Sequence, residues 1–120
     1  MKTFKLLLLA VIFASCEKSD PTSNGPALSA PKPPTNLVAS ATAPTNVNLT
    51  WTDNANNEDG FRIERKMLSN SYVQIASLPA NTLSYADPNV NSGTTYTYKM
   101  YSYNSAGSSN YTAEVVVTTP

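Results

Sequence analysis

The sequence predicts an all-β molecule, a sandwich of two antiparallel sheets built from seven short strands. Three observations carry that expectation. From residue 35 onward apolar and polar side chains alternate with a period of two, the pattern of strands buried on one face. The alternating runs are separated at short intervals by Asn, Asp, Gly, Pro and Ser, the residues that tight turns demand. Each run has a single apolar side, which a second sheet must cover.

The strands follow in order. The first, about 35–42, offers Leu37 to a core. The second, 46–53, sets Val47, Leu49 and Trp51 on one side. The third, 60–67, alternates Phe61 and Ile63 with Arg62, Glu64 and Lys66. The fourth, 72–78, contributes Ile75, and the fifth, 83–86, is the shortest. The sixth, 94–104, turns Tyr96, Tyr98 and Met100 one way and Thr97, Lys99, Tyr101 and Tyr103 the other. The seventh, 111–119, supplies Val115 and Val117. Trp51 is expected near the centre, with Leu37, Leu49, Ile63, Ile75, Tyr96, Tyr98, Met100, Val115 and Val117 around it.

The stretch before the strands has a different character. Residues 1–15 read as a secretory signal: Lys2 and Lys5 precede nine uninterrupted apolar residues, Leu6 to Ala14. Nine falls well short of the roughly 20 that a membrane-spanning helix needs. Cys16 follows, the one cysteine of the chain, with no partner for an internal disulfide. Residues 17–34 hold five of the nine prolines and, apart from Leu28, no large apolar residue, so helix and sheet are both disfavoured. Residues 16–34 are therefore expected to form an extended spacer of about 3 Å per residue, reaching roughly 50 Å, ahead of a domain at 35–120.

Two resemblances follow from particular residues. Phe13-Ala14-Ser15-Cys16 resembles the lipobox of bacterial lipoproteins, with Ala14 and Ser15 in the small positions and Phe13 where that family favours Leu. The resemblance implies cleavage before Cys16 and acylation of its thiol. Two or three acyl chains make such anchoring durable where one does not. The alternative is an incidental Cys in a discarded signal peptide. Further on, "PPTNLVAS", "LTWTDN", "GFRIERK" and "VNSGTTYTYKMYSYNSAGSS" resemble a fibronectin type III domain, an immunoglobulin-like sandwich. Leu37, Trp51, Phe61, Ile63, Tyr96, Asn104 and Gly107 match that family's pattern, while Val90 and Ser92 replace its usual Leu and Pro. The resemblance implies that Tyr96 is a tyrosine-corner residue, its hydroxyl bonded to the backbone just upstream.

Composition excludes several activities. There is no His, hence no His-based triad and no His zinc ligand. The 8 basic and 8 acidic residues leave no footprint for nucleic acid, and loss of Lys2 and Lys5 with the signal leaves a weakly acidic chain. "TDNANNEDGF" gathers oxygen donors from Asp53 to Asp59, yet counting an EF-hand from Asp53 puts Glu58 where that loop needs Gly. A turn-rich loop is the favoured interpretation, and no metal or other cofactor is expected. Glu58 and Asp59, adjacent on one loop, do not face each other across a cleft as glycosidase carboxylates do. No enzyme activity is expected. The acceptor patterns at 48–50 and 110–112 are incidental in a bacterial lipoprotein.

What remains is a face. By parity Arg62, Glu64, Lys66, Lys99, Tyr101 and Tyr103 share the outer side of one sheet, beside Glu114 and Val116 on the next strand. Tyr beside charge suits a protein anchor or a sugar ring. It equally suits a ladder in which rings cover Arg and Lys stems for stability alone, and that interpretation is favoured. The sequence thus predicts an exported, monomeric protein, lipid-anchored through Cys16 at the bacterial cell envelope, on a periplasmic or surface face of the outer membrane. Its sandwich binds or spaces, with an unidentified protein as partner. The alternatives are a glycan-binding accessory of a polysaccharide-degrading system and the stub of a longer lipoprotein.

Overall fold

The alternating runs form eight strands in the computed structural model, which describes residues 27–120. They are β1 (Thr35–Ala43), β2 (Asn46–Thr52), β3 (Gly60–Met67), β4 (Val73–Pro79), β5 (Ser84–Asp87), β6 (Thr95–Asn104), β7 (Gly107–Ser108) and β8 (Val115–Thr118). One sheet has the order β1-β2-β5. The other has β4-β3-β6-β7, with β8 also paired to β6, and every pairing is antiparallel. The predicted two-sheet sandwich is therefore the fold. Signal residues 1–15 and Cys16 lie outside the described residues.

Period-two alternation places the core between the sheets. Leu49, Phe61, Ile63, Tyr98 and Met100 are fully buried, Trp51 and Tyr96 nearly so. The Trp51 and Phe61 rings meet at 5.8 Å. Ile75, Val115 and Val117 pack against this cluster half-buried, while Val47 and Val90 lie inside it. The backbone N–H of Asn91 donates to Tyr96 Oη at 2.7 Å, the corner bond that the family pattern implied.

The seventh strand differs from expectation. Expected over 111–119, it is regular only as β8, with β7 a separate short pairing ahead of it, because two hydroxyls take over the acceptor role along β6. The N–H of Ser102 donates to Ser109 Oγ at 3.0 Å and that of Met100 to Thr112 Oγ1 at 3.1 Å. With those donors satisfied by side chains, residues 109–114 leave the regular ladder without orphaning buried groups.

Residues 29–34, within the stretch whose composition suggests a spacer, are bound to the sandwich. Pro31 and Pro34 are buried. Asn104 Nδ2 and Asn57 Nδ2 donate to the carbonyl of Ser29 at 2.8 and 3.0 Å, and Ser102 Oγ donates to that of Lys32 at 2.8 Å. Asn54 Nδ2 donates to the carbonyl of Pro33 at 3.0 Å. Proline withholds its own N–H but leaves carbonyls free to accept, so the segment is held by side chains instead of a strand ladder.

Candidate functional site

Register assembles the predicted face from β3 and β6. Gly60 lies opposite Tyr103, Arg62 opposite Tyr101, Glu64 opposite Lys99 and Lys66 opposite Thr97. Because these positions alternate with the buried Phe61, Ile63, Met100 and Ser102, all point away from the core. Arg62, Glu64, Lys66, Lys99, Tyr101 and Tyr103 are each half-buried by one another.

The contacts form two groups of rings and cations, Arg62 with Tyr103 and a longer run through Tyr101, Tyr111, Lys99, Tyr72 and Lys66. Arg62 Cζ lies 4.1 Å from the Tyr103 centroid, and the Tyr103 ring in turn lies over Gly60. Arg62 Nε is buried there with no hydrogen-bond partner among the described residues. Tyr101 meets Tyr111 edge-on at 5.3 Å and 88°. Lys99 Nζ lies over two rings, 3.8 Å from the Tyr111 centroid and 4.1 Å from that of Tyr72. Lys66 Nζ is 4.9 Å from the same Tyr72 ring.

Two of these tyrosines, Tyr72 and Tyr111, were not singled out from the sequence. Both sit just outside regular strand, one before β4 and one in the detached stretch between β7 and β8. The available signal was an aromatic at the end of each strand flanking a Lys-bearing pair.

Carboxylates fix both rings. Tyr111 Oη donates to Glu64 Oε2 at 2.8 Å, and Tyr72 Oη donates to Glu114. The bond to Glu64, with burial second, pushes the Tyr111 phenol up to about 12. Burial and then the bond to Glu114 raise Tyr72 further still. Of the other residues named for this face, Val116 is exposed.

Four side chains of the oxygen-rich loop, Asp53, Asn54, Asn57 and Glu58, are engaged in structure. Asp53 Oδ1 accepts from the N–H of Ala55 at 3.0 Å, and buried Glu58 accepts from the N–H of Asn81 at 3.1 Å. Asn54 and Asn57 hold residues 29–34 as described. Asn104 Oδ1 accepts from Ala106 and Gly107, closing the next turn. Among the described residues no three His, Cys, Asp or Glu side chains come together as metal ligands would.

A second polar centre, absent from the sequence-based expectations, ties the sheets together. Buried Asp87, at the end of β5, accepts from Arg65 Nη1 at 2.8 Å, Tyr98 Oη at 2.8 Å and the N–H of Asn89 at 3.1 Å. Arg65 belongs to β3, on the same side as Phe61 and Ile63, so its inward direction was legible. Desolvation pulls the guanidinium down, but the bond and charge of Asp87 outweigh it and the net shift is upward. Burial and Asp87 both drive Tyr98 well above the usual phenol range.

Comparison with known proteins bears on this geometry. The family profile described as fibronectin type III domain matches residues 32–118. A search of curated proteins finds no match. Among solved structures, an Fn3-like protein from Clostridium thermocellum is 29% identical with a TM-score of 0.64, over 77% of this chain and 96% of that one. Domains A168–A170 of titin are 21% identical with a TM-score of 0.64 over 74% of this chain. The FN1–FN3 domains of chicken CNTN1 are 17% identical with a TM-score of 0.68 over 75% of it. The chain spans 32% and 33% of the last two.

Proposed function

Because the chain belongs to the fibronectin type III family, we propose that it is a non-catalytic binding or spacer module, held at the bacterial cell envelope by a lipid on Cys16. The observation that carries the anchor is the placement of the one cysteine directly after a short apolar run with small residues at its end. Binding and spacing are the roles typical of such modules. Of the side chains that the sequence offers for chemistry, Asp53 and Glu58 accept from backbone N–H groups, and Asn54 and Asn57 donate their amide N–H groups to backbone carbonyls.

Anchoring gives the sandwich an orientation. Residues 29–34 run beside the 53–59 loop and the 104–107 turn, so this pole faces the membrane. The opposite pole, where Ser92 Oγ donates to the carbonyl of Pro120, points away. With Ser29 held, the stretch from Cys16 can span at most roughly 45 Å. The face of Arg62, Lys99 and Tyr101 then looks sideways, open to a neighbouring protein.

The glycan-binding alternative has less support. A sugar stacks its C–H groups on an open ring face. Here Arg62 covers Tyr103, and Tyr101 is turned edge-on to Tyr111. The deciding experiment feeds radiolabelled palmitate to cells making the protein. Label is expected on the wild type and not on Cys16→Ser; label that persists in the variant overturns the anchor.

A further inference from the structure

We propose that Tyr72 and Tyr111 form an aromatic cage for a quaternary ammonium group, and that Lys99 is the cation resident in that cage. The ammonium of Lys99 lies over the faces of both rings, 4.1 Å from one centroid and 3.8 Å from the other. Glu64 stands directly opposite it in the strand register, the arrangement that ordinarily makes a cross-strand ion pair. Yet the one ion pair among the described residues is that of Arg65 with Asp87. Glu64 accepts from the Tyr111 hydroxyl instead, and Glu114 from that of Tyr72.

The carboxylates thus steer the rings and set negative charge behind them, while among the described residues the cation is met by ring faces and by no carboxylate at ion-pair distance. A lysine ammonium is a poor match to that environment. It is strongly hydrated and carries three N–H donors, which ring faces do not satisfy as oxygens would. A trimethylammonium group has no donor, is larger and sheds water more readily, and aromatic cages recognise it through the ring quadrupole.

Access is available. Tyr111 is 46% exposed, and Lys99 sits on a flexible four-carbon stem that can swing into solvent. Exchange leaves the charge within the cage unchanged, one cation replacing another. The ligand class therefore covers choline-like molecules and headgroups. It belongs to the face proposed above as the binding surface and rests on that proposal, whereas lipid on Cys16 plays no part in it.

The test uses choline chloride as the probe, with sodium chloride at equal ionic strength as the control, and reads the N-methyl proton resonance. Ring currents shift a caged trimethylammonium upfield. Lys99 competes from within the chain at an effective concentration of about millimolar, so the wild type binds weakly and Lys99→Thr binds about tenfold or more tightly. On the Lys99→Thr background Tyr72→Leu abolishes the shift, whereas Tyr72→Phe keeps the ring and keeps it. Phosphatidylcholine vesicles run beside free choline identify the source: retention on vesicles supports a headgroup, and binding of choline alone supports a small molecule. An N-methyl resonance unmoved by both wild type and Lys99→Thr overturns the cage, as does a shift that survives Tyr72→Leu. Palmitate labelling at Cys16 is unaffected by any of these variants, so cage and anchor fail separately.

Discussion

Asp87 shows how much one buried acceptor can hold. Its carboxylate joins β5 of one sheet to Arg65 and Tyr98 of the other, and it is 1% exposed. Replacing it with Ala strands a guanidinium and a phenol that were placed to meet it. Because Arg65 is 22% exposed and regains some water, the cost falls at the lower end for a broken buried pair, about 3 kcal/mol. Tyr98→Phe removes one hydrogen bond and leaves the ion pair, so it costs about 1–2 kcal/mol. Urea unfolding of the two variants checks the order, and a Tyr98→Phe loss equal to that of Asp87→Ala would show that the hydroxyl does not act through Asp87. The sequence carried half of this. Alternation with Phe61 and Ile63 aimed Arg65 inward, but its partner lies 22 residues away on the other sheet, and only the stacking of the sheets sets that pairing.

At the scale of elements, β3 begins where it does because Gly60 has no side chain. A Cβ at that position would collide with the carbonyl oxygen of Leu78 and stand 3.1 Å from the Tyr103 hydroxyl. The first contact is with backbone of β4, which cannot step aside without breaking its register with β3. Gly60→Ala is therefore expected to destabilise by about 2–3 kcal/mol through overpacking, read as a lower thermal midpoint. An unchanged midpoint would mean that β4 yields freely. Strand faces were legible from period two, since alternation is a property of any extended chain. The detachment between β7 and β8 was not, because it depends on Ser109 and Thr112 hydroxyls reaching N–H groups of β6. Proline content correctly argued against helix and sheet for residues 29–34. It is silent on acceptors, and the carbonyls of Ser29, Lys32 and Pro33 are what Asn104, Asn57, Ser102 and Asn54 grip. The same limit applies to the outer face. Parity gathered Arg62, Lys99 and Tyr101, but Tyr72 and Tyr111 arrive from irregular segments that parity does not govern.

For the molecule as a whole, the tyrosines make stability sensitive to alkali. Tyr98 is held protonated by burial and Asp87, Tyr72 by burial and Glu114, and Tyr111 by Glu64 and burial. In the unfolded chain each loses its proton near pH 10. Below that pH both states keep the protons and the contribution to stability is complete. Above it the unfolded chain binds fewer protons than the folded one, so stability falls as pH rises, until the folded phenols ionise in their turn. In the unfolded chain lysines release protons in the same range, so the wild-type curve alone does not isolate the phenols. Tyr98→Phe does, because it removes the most deeply buried of the three while leaving Lys66 and Lys99 and their rings in place. Urea midpoints taken from pH 8 to pH 11.5 should therefore decline less steeply for Tyr98→Phe than for the wild type once pH 10 is passed. Parallel curves would show that Tyr98 retains no proton that the unfolded chain gives up, and that the Asp87 centre does not hold the phenol neutral.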